Sequence, residues 1–186
     1  MTTILAIAGS VRAKSFNGLL LRAAVELAPA GVTVESASIK DIPLYDADSE
    51  AASGVPAVVQ ALKDRIARAS GVLLVTPEYN NSLPGVFKNA IDWTSRPAAD
   101  IARVYGGKPI GVIGATPGAG GTGMAQAAWL PVLRTLGTVP FFGARMLVSG
   151  AAKVFDETGQ LTDPIVRGQL EKYMTGFAQF VVRQSR

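Results

Sequence analysis

Short apolar runs alternate along the chain with longer stretches in which apolar residues return every three or four positions. Residues 4–8 (Ile4-Leu5-Ala6-Ile7-Ala8) open as a buried strand. Residues 17–28 follow, with Leu19, Leu20, Ala23, Ala24 and Leu27 at helical spacing and Pro29-Ala30-Gly31 as a stop. From 32 to 39, Val32, Val34 and Ser36 alternate with Thr33, Glu35 and Ala37, the pattern of a half-buried second strand. Residues 40–54 are rich in Asp, Pro and Ser and read as a loop, and 56–69 as a helix with Pro56 near its first turn. The run 71–76 is continuously apolar up to Thr76, as a central parallel strand covered on both faces would be.

After a polar loop at 77–84, the pattern predicts a helix near 85–93, a fourth strand at 108–115 and a glycine-dense loop at 116–123. A helix over 124–136, disturbed at Pro131, and a fifth strand within 139–148, weakened by Pro140 and Gly143, come next. The last helix opens at Asp163-Pro164, N-cap then first position, and runs to about 182. Five strand–helix alternations imply one domain over 1–186: an open parallel sheet with helices on both faces. Right-handed crossovers and five strands favour the doubly wound order 2-1-3-4-5. In that order a ligand sits beyond the carboxyl ends of strands 1 and 3, where the winding reverses. The loops at 9–17 and 77–84 should then carry function, with 116–123 as their neighbour.

Composition narrows the chemistry. The 186 residues contain no Cys and no His, which removes disulfides, thiolate nucleophiles, Ser-His-Asp catalysis and Cys/His metal sites. An enzyme built from what remains would most naturally use a bound cofactor. The net charge of +4 comes from scattered Lys and Arg, either an ordinary soluble surface or a bias toward anionic ligands. Without a basic stripe interleaved with aromatics, nucleic acid is not an expected partner. No apolar run reaches the ~20 residues of a membrane span, and the apolar start has no basic segment before it, so the expectation is a cytoplasmic protein that does not enter a membrane.

The loop Gly9-Ser10-Val11-Arg12-Ala13-Lys14-Ser15-Phe16-Asn17 joins a strand to a helix N-terminus, where unpaired N–H groups and about half a positive charge attract anions. Ser10, Ser15 and Asn17 add hydrogen-bonding groups, and Arg12 offers a fork for two phosphate oxygens. Taken singly each has an ordinary use: Ser15 or Asn17 as a helix cap, Arg12 as a solvated charge. Together, at the reversal of the winding, they read as a phosphate site. No P-loop motif is present. The loop Thr76-Pro77-Glu78-Tyr79-Asn80-Asn81-Ser82 exposes amides and one flat ring, which suits a planar heterocycle or an ordinary surface turn. Glu78 stands as a general base, an N–H acceptor or a partner for Arg or Lys. Gly118 to Gly123 matches G-x-G-x-x-G, but 124–150 holds no Asp or Glu for a ribose, so the glycines more naturally let a ligand approach the backbone.

Gly9-Ser10-x-Arg12-x-x-Ser15-x-Asn17, Thr76-Pro77-Glu78-Tyr79-Asn80, Lys88-Asn89-Ala90-Ile91-Asp92-Trp93 and Asp41-Ile42-Pro43-Leu44-Tyr45-Asp46 together resemble the NADPH-dependent FMN reductase family. The nearest branch is the bacterial quinone, chromate and azo-dye reductases, and the likeness runs from about 4 to 181. The resemblance implies a flavodoxin-like fold, bound FMN, NAD(P)H as co-substrate, a quinone, chromate, azo or nitro compound as oxidant, and a homodimer or homotetramer. Its phosphate loop falls on Ser10, Arg12, Ser15, Phe16 and Asn17, its isoalloxazine loop on Pro77, Glu78, Tyr79 and Asn80, and a third contact on Ala115 and Thr116. The flavin would carry the reaction, with no side chain acting as acid or base. The chain departs from that branch after Thr116, where 117–123 is richer in glycine. A flavodoxin-type electron carrier and a non-catalytic flavin-binding subunit are the alternatives; the former usually pairs an acidic chain with a Thr/Ser-x-Thr-Gly-x-Thr loop, whereas Arg12 and Lys14 stand here. The large apolar residues of 83–93 and 129–142 suggest a surface for a second copy.

Overall fold

The computed structural model describes residues 2–184. Four strands, β1 (Thr2–Ala8), β2 (Val32–Ala37), β3 (Gly71–Val75) and β4 (Pro109–Ala115), lie parallel, and the sheet runs β2-β1-β3-β4-β5 as the pattern predicts. The helices are α1 (Phe16–Glu26), α2 (Ala47–Ser53), α3 (Ala57–Arg68), α4 (Gly85–Thr94), α5 (Ile101–Tyr105), α6 (Gly123–Thr135) and α7 (Pro164–Gln184).

Strand periodicity splits the core into two layers. Ile4, Ala6, Leu73, Val75, Ile113 and Ala115 face α1 and α7, where Leu20, Ala24, Tyr173, Met174 and Phe177 meet them. Leu5, Ile7, Val72, Leu74 and Ile110 face the other way, onto Leu62, Ile66, Phe87, Trp129 and Leu133 of α3, α4 and α6. β3 is buried along its whole length, because parallel strands at the centre of such a sheet have no solvent face. β2 follows its predicted alternation only in part: Val34 is buried and Glu35 exposed, but Ala37 rather than Ser36 turns into the core, beside Ile39.

The predicted fifth strand is real but broken. It survives as β5 (Val139–Pro140) and β6 (Leu147–Val148), both parallel to β4. Pro140 lacks an N–H, and the chain leaves the sheet just after it. The Phe141 N–H still donates to Ile110 O at 2.7 Å. Its ring, however, packs against Tyr173, Phe177 and Phe180, with centroids 5.4–5.7 Å apart. Opposite the gap, the Tyr173 hydroxyl donates to Val112 O at 3.2 Å, supplying the hydrogen bond a continuous strand would have made. Burial raises the Tyr173 phenol, which therefore stays protonated and remains a donor.

Two short helices lie where no helix is predicted. α2 occupies part of 40–54, capped by Asp46, whose Oδ1 accepts from the Asp48 N–H at 2.9 Å, and ended by Gly54 at φ +75°. None of its residues is buried, so the sequence holds no apolar period to reveal it. It is held by Glu50, which accepts from Arg96 Nε at 2.8 Å and from the Tyr45 hydroxyl at 2.9 Å. α5 is only five residues long. α6 runs through Pro131, where a disturbance is expected, without ending there, and Asp163 caps α7 through the Ile165 and Val166 N–H groups as expected.

Candidate functional site

β1, β3 and β4 end together, and their three loops enclose a cleft of about 250 Å³. Ser10, Arg12, Ser15, Phe16, Asn17, Pro77, Glu78, Tyr79, Ala115 and Thr116 line it, with Pro117 added. All but one of the side chains singled out in the sequence are thus gathered in one place. The exception is Asn80. Asn80 and Asn81 take φ of +50° and +58°, and Tyr79 and Ser82 exchange both backbone hydrogen bonds, at 3.1 and 3.0 Å. This is the two-residue turn that demands positive φ at both central positions, which Asn tolerates. Asn80 therefore shapes the turn and does not line the cleft. Larger cavities exist, including one of about 280 Å³ between α6 and the broken strand, but it is walled by Ile110, Val112, Leu130, Phe141 and Phe142 and receives none of the three loops.

Within the cleft, several groups already have work inside the protein. Ser15 is the N-cap of α1; its Oγ accepts from the Asn17 and Gly18 N–H groups. Asn17, expected to reach a phosphate, is 3% exposed, and its amide is fully committed to Ala115: Nδ2 donates to Ala115 O at 2.8 Å and Oδ1 accepts from Ala115 N at 2.9 Å. It therefore fastens the start of α1 to the end of β4 rather than facing a ligand. Ser10 Oγ accepts from the Arg12 N–H. Arg12 Nε and Nη2 donate to Lys14 O at 3.2 and 2.7 Å, and its guanidinium lies 6.0 Å from the Phe16 ring centre.

What remains free is a set of donors. The Ser10 and Ser15 hydroxyls accept in these bonds and keep their own protons to give. The first N–H of α1, at Phe16, has no acceptor in the helix. Arg12 Nη1 has no partner among the described residues, and Lys14 adds a second positive charge in the same loop. The sole carboxylate in the lining, Glu78, is turned away from this set: its Oε2 accepts from the Ala125 N–H at 3.0 Å, at the start of α6. Of the three readings of Glu78, the geometry selects the N–H acceptor. The donor set therefore suits a phosphate, and Pro77 with the half-exposed ring of Tyr79 (50%) presents flat apolar surface beside it. The groups that shape the cleft from behind are harder to see in a sequence. Thr76, fully buried, donates to Pro77 O at 2.9 Å and accepts from Trp129 Nε1 at 3.1 Å. A Cβ on Gly114 would stand 2.2 Å from Thr76 O and 2.3 Å from Thr122 Oγ1, so only glycine lets α6 and the β3 loop close over β4.

The Asn17 fastening gives a direct expectation. Asn17→Ala leaves the Ala115 N–H and C=O buried without partners and should cost roughly 2–4 kcal/mol of stability. Urea unfolding followed by fluorescence measures this. A loss below about 0.5 kcal/mol, the level of an ordinary surface change, would show that the two bonds are not structural.

Comparison with known proteins agrees with the geometry. The family model for NADPH-dependent FMN reductase matches residues 2–153. An NAD(P)H-dependent FMN reductase of Pseudomonas aeruginosa is 37% identical over 180 residues, 97% of this chain and 95% of the relative. A quinone reductase of Escherichia coli K12 is 38% identical over 186 aligned positions, again 97% of this chain and 95% of the relative. Among solved structures, FerB, a flavoenzyme NAD(P)H:(acceptor) oxidoreductase from Paracoccus denitrificans, superposes with a TM-score of 0.88 at 34% identity, covering 99% of both chains. With a flavodoxin-like sheet, a phosphate-suited loop at its switch point and these relatives spanning nearly its whole length, the chain belongs to the NADPH-dependent FMN reductase family of NAD(P)H-dependent flavin oxidoreductases.

Proposed function

We propose that FMN lies in the cleft between the β1, β3 and β4 loops, and that the protein is a quinone reductase working in the cytoplasm, where NAD(P)H is held. The observation that supports this is the convergence, on one side of the cleft, of anion donors whose only carboxylate neighbour is already neutralised by a helix N-terminus. Ser10, Ser15, Arg12 and the Phe16 N–H would hold the phosphate, with Phe16 supporting the Arg12 guanidinium. Pro77, Tyr79, Ala115 and Thr116 would flank the ring. When bound, FMN would supply the redox chemistry, accepting hydride from NAD(P)H and giving the electrons to a small oxidant.

The protein's own part is to bind, orient and exclude. The Tyr79 N–H is occupied by Ser82 O, whereas that of Glu78, a lining residue, has no partner among the described residues and can meet negative charge at the ring edge. No acid–base side chain is required, which fits a chain without His or Cys. A quinone is the favoured oxidant because relatives of 37–39% identity are named for quinone reduction. Chromate, azo and nitro compounds are within reach of the same chemistry.

A homodimer or homotetramer is the expected assembly, on a smaller apolar surface than the sequence suggests. Phe87, Ala90, Ile91, Trp93, Trp129 and Leu133 are all taken up by the intrachain core. Leu130 (41% exposed) and Phe142 (74%) remain outside, lining the groove beside α6, and Met124 (59%) is exposed on the first turn of that helix.

Four measurements test this reading. The purified protein should show a flavin absorption spectrum that bleaches with anaerobic NADPH and returns with benzoquinone. Steady-state turnover should give parallel double-reciprocal lines, because one exposed cleft must serve both substrates in turn. Negligible NAD(P)H oxidation would support the electron-carrier reading instead, and intersecting lines would refute the shared cleft. Arg12→Ala should weaken FMN about 10- to 150-fold while leaving riboflavin, which lacks the phosphate, nearly unaffected. Equal losses for the two would remove Arg12 from the phosphate. Light scattering should report a multiple of the 19.3 kDa chain, and a monomer at micromolar concentration would contradict the assembly.

A further inference from the structure

α6 begins without the usual equipment of a helix start. Its cap residue, Thr122, is buried with a left-handed backbone (φ +71°) and makes no side-chain cap bond, and no acid lies in the first turn. Thr122 Oγ1 instead accepts from Gln126 Nε2 at 3.2 Å. The N–H of Ala125, the third helical residue, has no acceptor inside the helix. Its partner is Glu78 Oε2, at 3.0 Å and 47 positions away in the sequence.

This bond joins the two walls of the cleft. Glu78 belongs to the β3 loop that carries Tyr79; Ala125 lies two residues after the glycine loop 117–123. The other carboxylate oxygen faces that loop too, 3.8 Å from where a Cβ on Gly120 would stand. One turn further along the same face of α6, Trp129 Nε1 donates to Thr76 Oγ1 at 3.1 Å. The β3 loop is therefore tied to α6 at two points: a fully buried one at Thr76 and a half-buried outer one at Glu78. Beyond the outer tie the chain makes only the exposed turn 79–82. In the glycine loop, 117–120 is exposed and 121–122 buried, with Gly118 O accepting from the Gly150 N–H at 3.1 Å and Gly120 O from the Gly123 N–H at 3.2 Å.

We propose that Glu78 is a positioning residue: its carboxylate, capping α6 from across the cleft, fixes the distance between the Tyr79 turn and the glycine loop and so sets the mouth through which the second substrate enters. The link to substrate rests on the reductase reading above; the cap itself does not. The charge of Glu78 is met by the helix start, so its contribution comes through geometry rather than through its field at the ring.

Glu78→Ala removes the acceptor. Glu78→Gln keeps an oxygen of the same reach and removes the charge. Hydrogen exchange at the Ala125 amide, read by NMR on the flavin-free protein, reports the cap directly, because nothing else in the helix protects that N–H. Exchange should rise about tenfold or more in Glu78→Ala, as expected for a charge-assisted bond, and stay within about threefold of the parent in Glu78→Gln. On the FMN-loaded protein, KM for benzoquinone should rise several-fold more than kcat falls in Glu78→Ala, and Glu78→Gln should restore it. Unchanged Ala125 exchange in Glu78→Ala would overturn the proposal, and so would a Gln variant that behaves like the Ala variant in either measurement. Absence of NAD(P)H turnover in the parent protein would count against the reductase reading and leave the exchange result intact.

Discussion

The pair of hydrogen bonds between the Asn17 amide and the Ala115 backbone is the constraint on which the site depends. A side-chain amide has the donor and acceptor of a peptide group at nearly the same spacing, so Asn17 completes the end of β4 as a strand neighbour would. It does so in a place from which water is excluded, where an unpaired N–H or C=O carries the full desolvation cost. Once that bond is made, the first turn of α1 cannot drift from the end of β4. The loop before it, with Ser10, Arg12 and Ser15, must then bridge the top of β1, and the crevice between the loops acquires a fixed floor.

The edge of the sheet shows the same economy of substitution. A fifth strand interrupted after Pro140 would expose one rung of β4. The gap is closed from the opposite layer, by the Tyr173 hydroxyl on Val112 O and by the Phe141 ring set among Tyr173, Phe177 and Phe180. α7 is thus both a layer of the core and a replacement for part of a strand. The break also leaves Phe142 exposed.

α6 gathers what remains. On its first two turns it receives Glu78 at Ala125 and presents Trp129 to Thr76, while Gln126 Nε2 donates to Met146 O at 2.9 Å, between the two pieces of the fifth strand. The loops after β3 and β4 and the broken edge are consequently referred to one rigid element. The glycine-rich chain at 117–123, exposed over 117–120 and buried at 121–122, thus ends on a firmly held element.

Much of this was legible in the residue pattern. The apolar runs at 4–8 and 71–76, the helical spacings between them and the breakers at their ends suffice for the strand order, because right-handed crossovers leave few ways to wind them and the order locates the crevice. The motifs around Arg12 and Tyr79 identify which loops line it, and with the family resemblance they name the ligand. α2 stayed hidden because it buries nothing, and the place of Asn80 in a turn stayed hidden because a turn and a ligand contact both favour Asn. What the pattern could not decide is which partner each polar group in the cleft takes. Asn17 spans 98 positions to reach Ala115 and Glu78 spans 47 to reach Ala125. Propensity and periodicity act over a few neighbours, whereas the choice between serving a ligand and serving the fold is made by desolvation and by what else stands within 3 Å. The sequence by itself therefore determined the sheet, its switch point and the loops that meet there. Only the tertiary structure decided that Asn17 and Glu78 hold those loops in place, leaving Ser10, Arg12, Ser15 and the start of α1 as the uncommitted donors of the cleft.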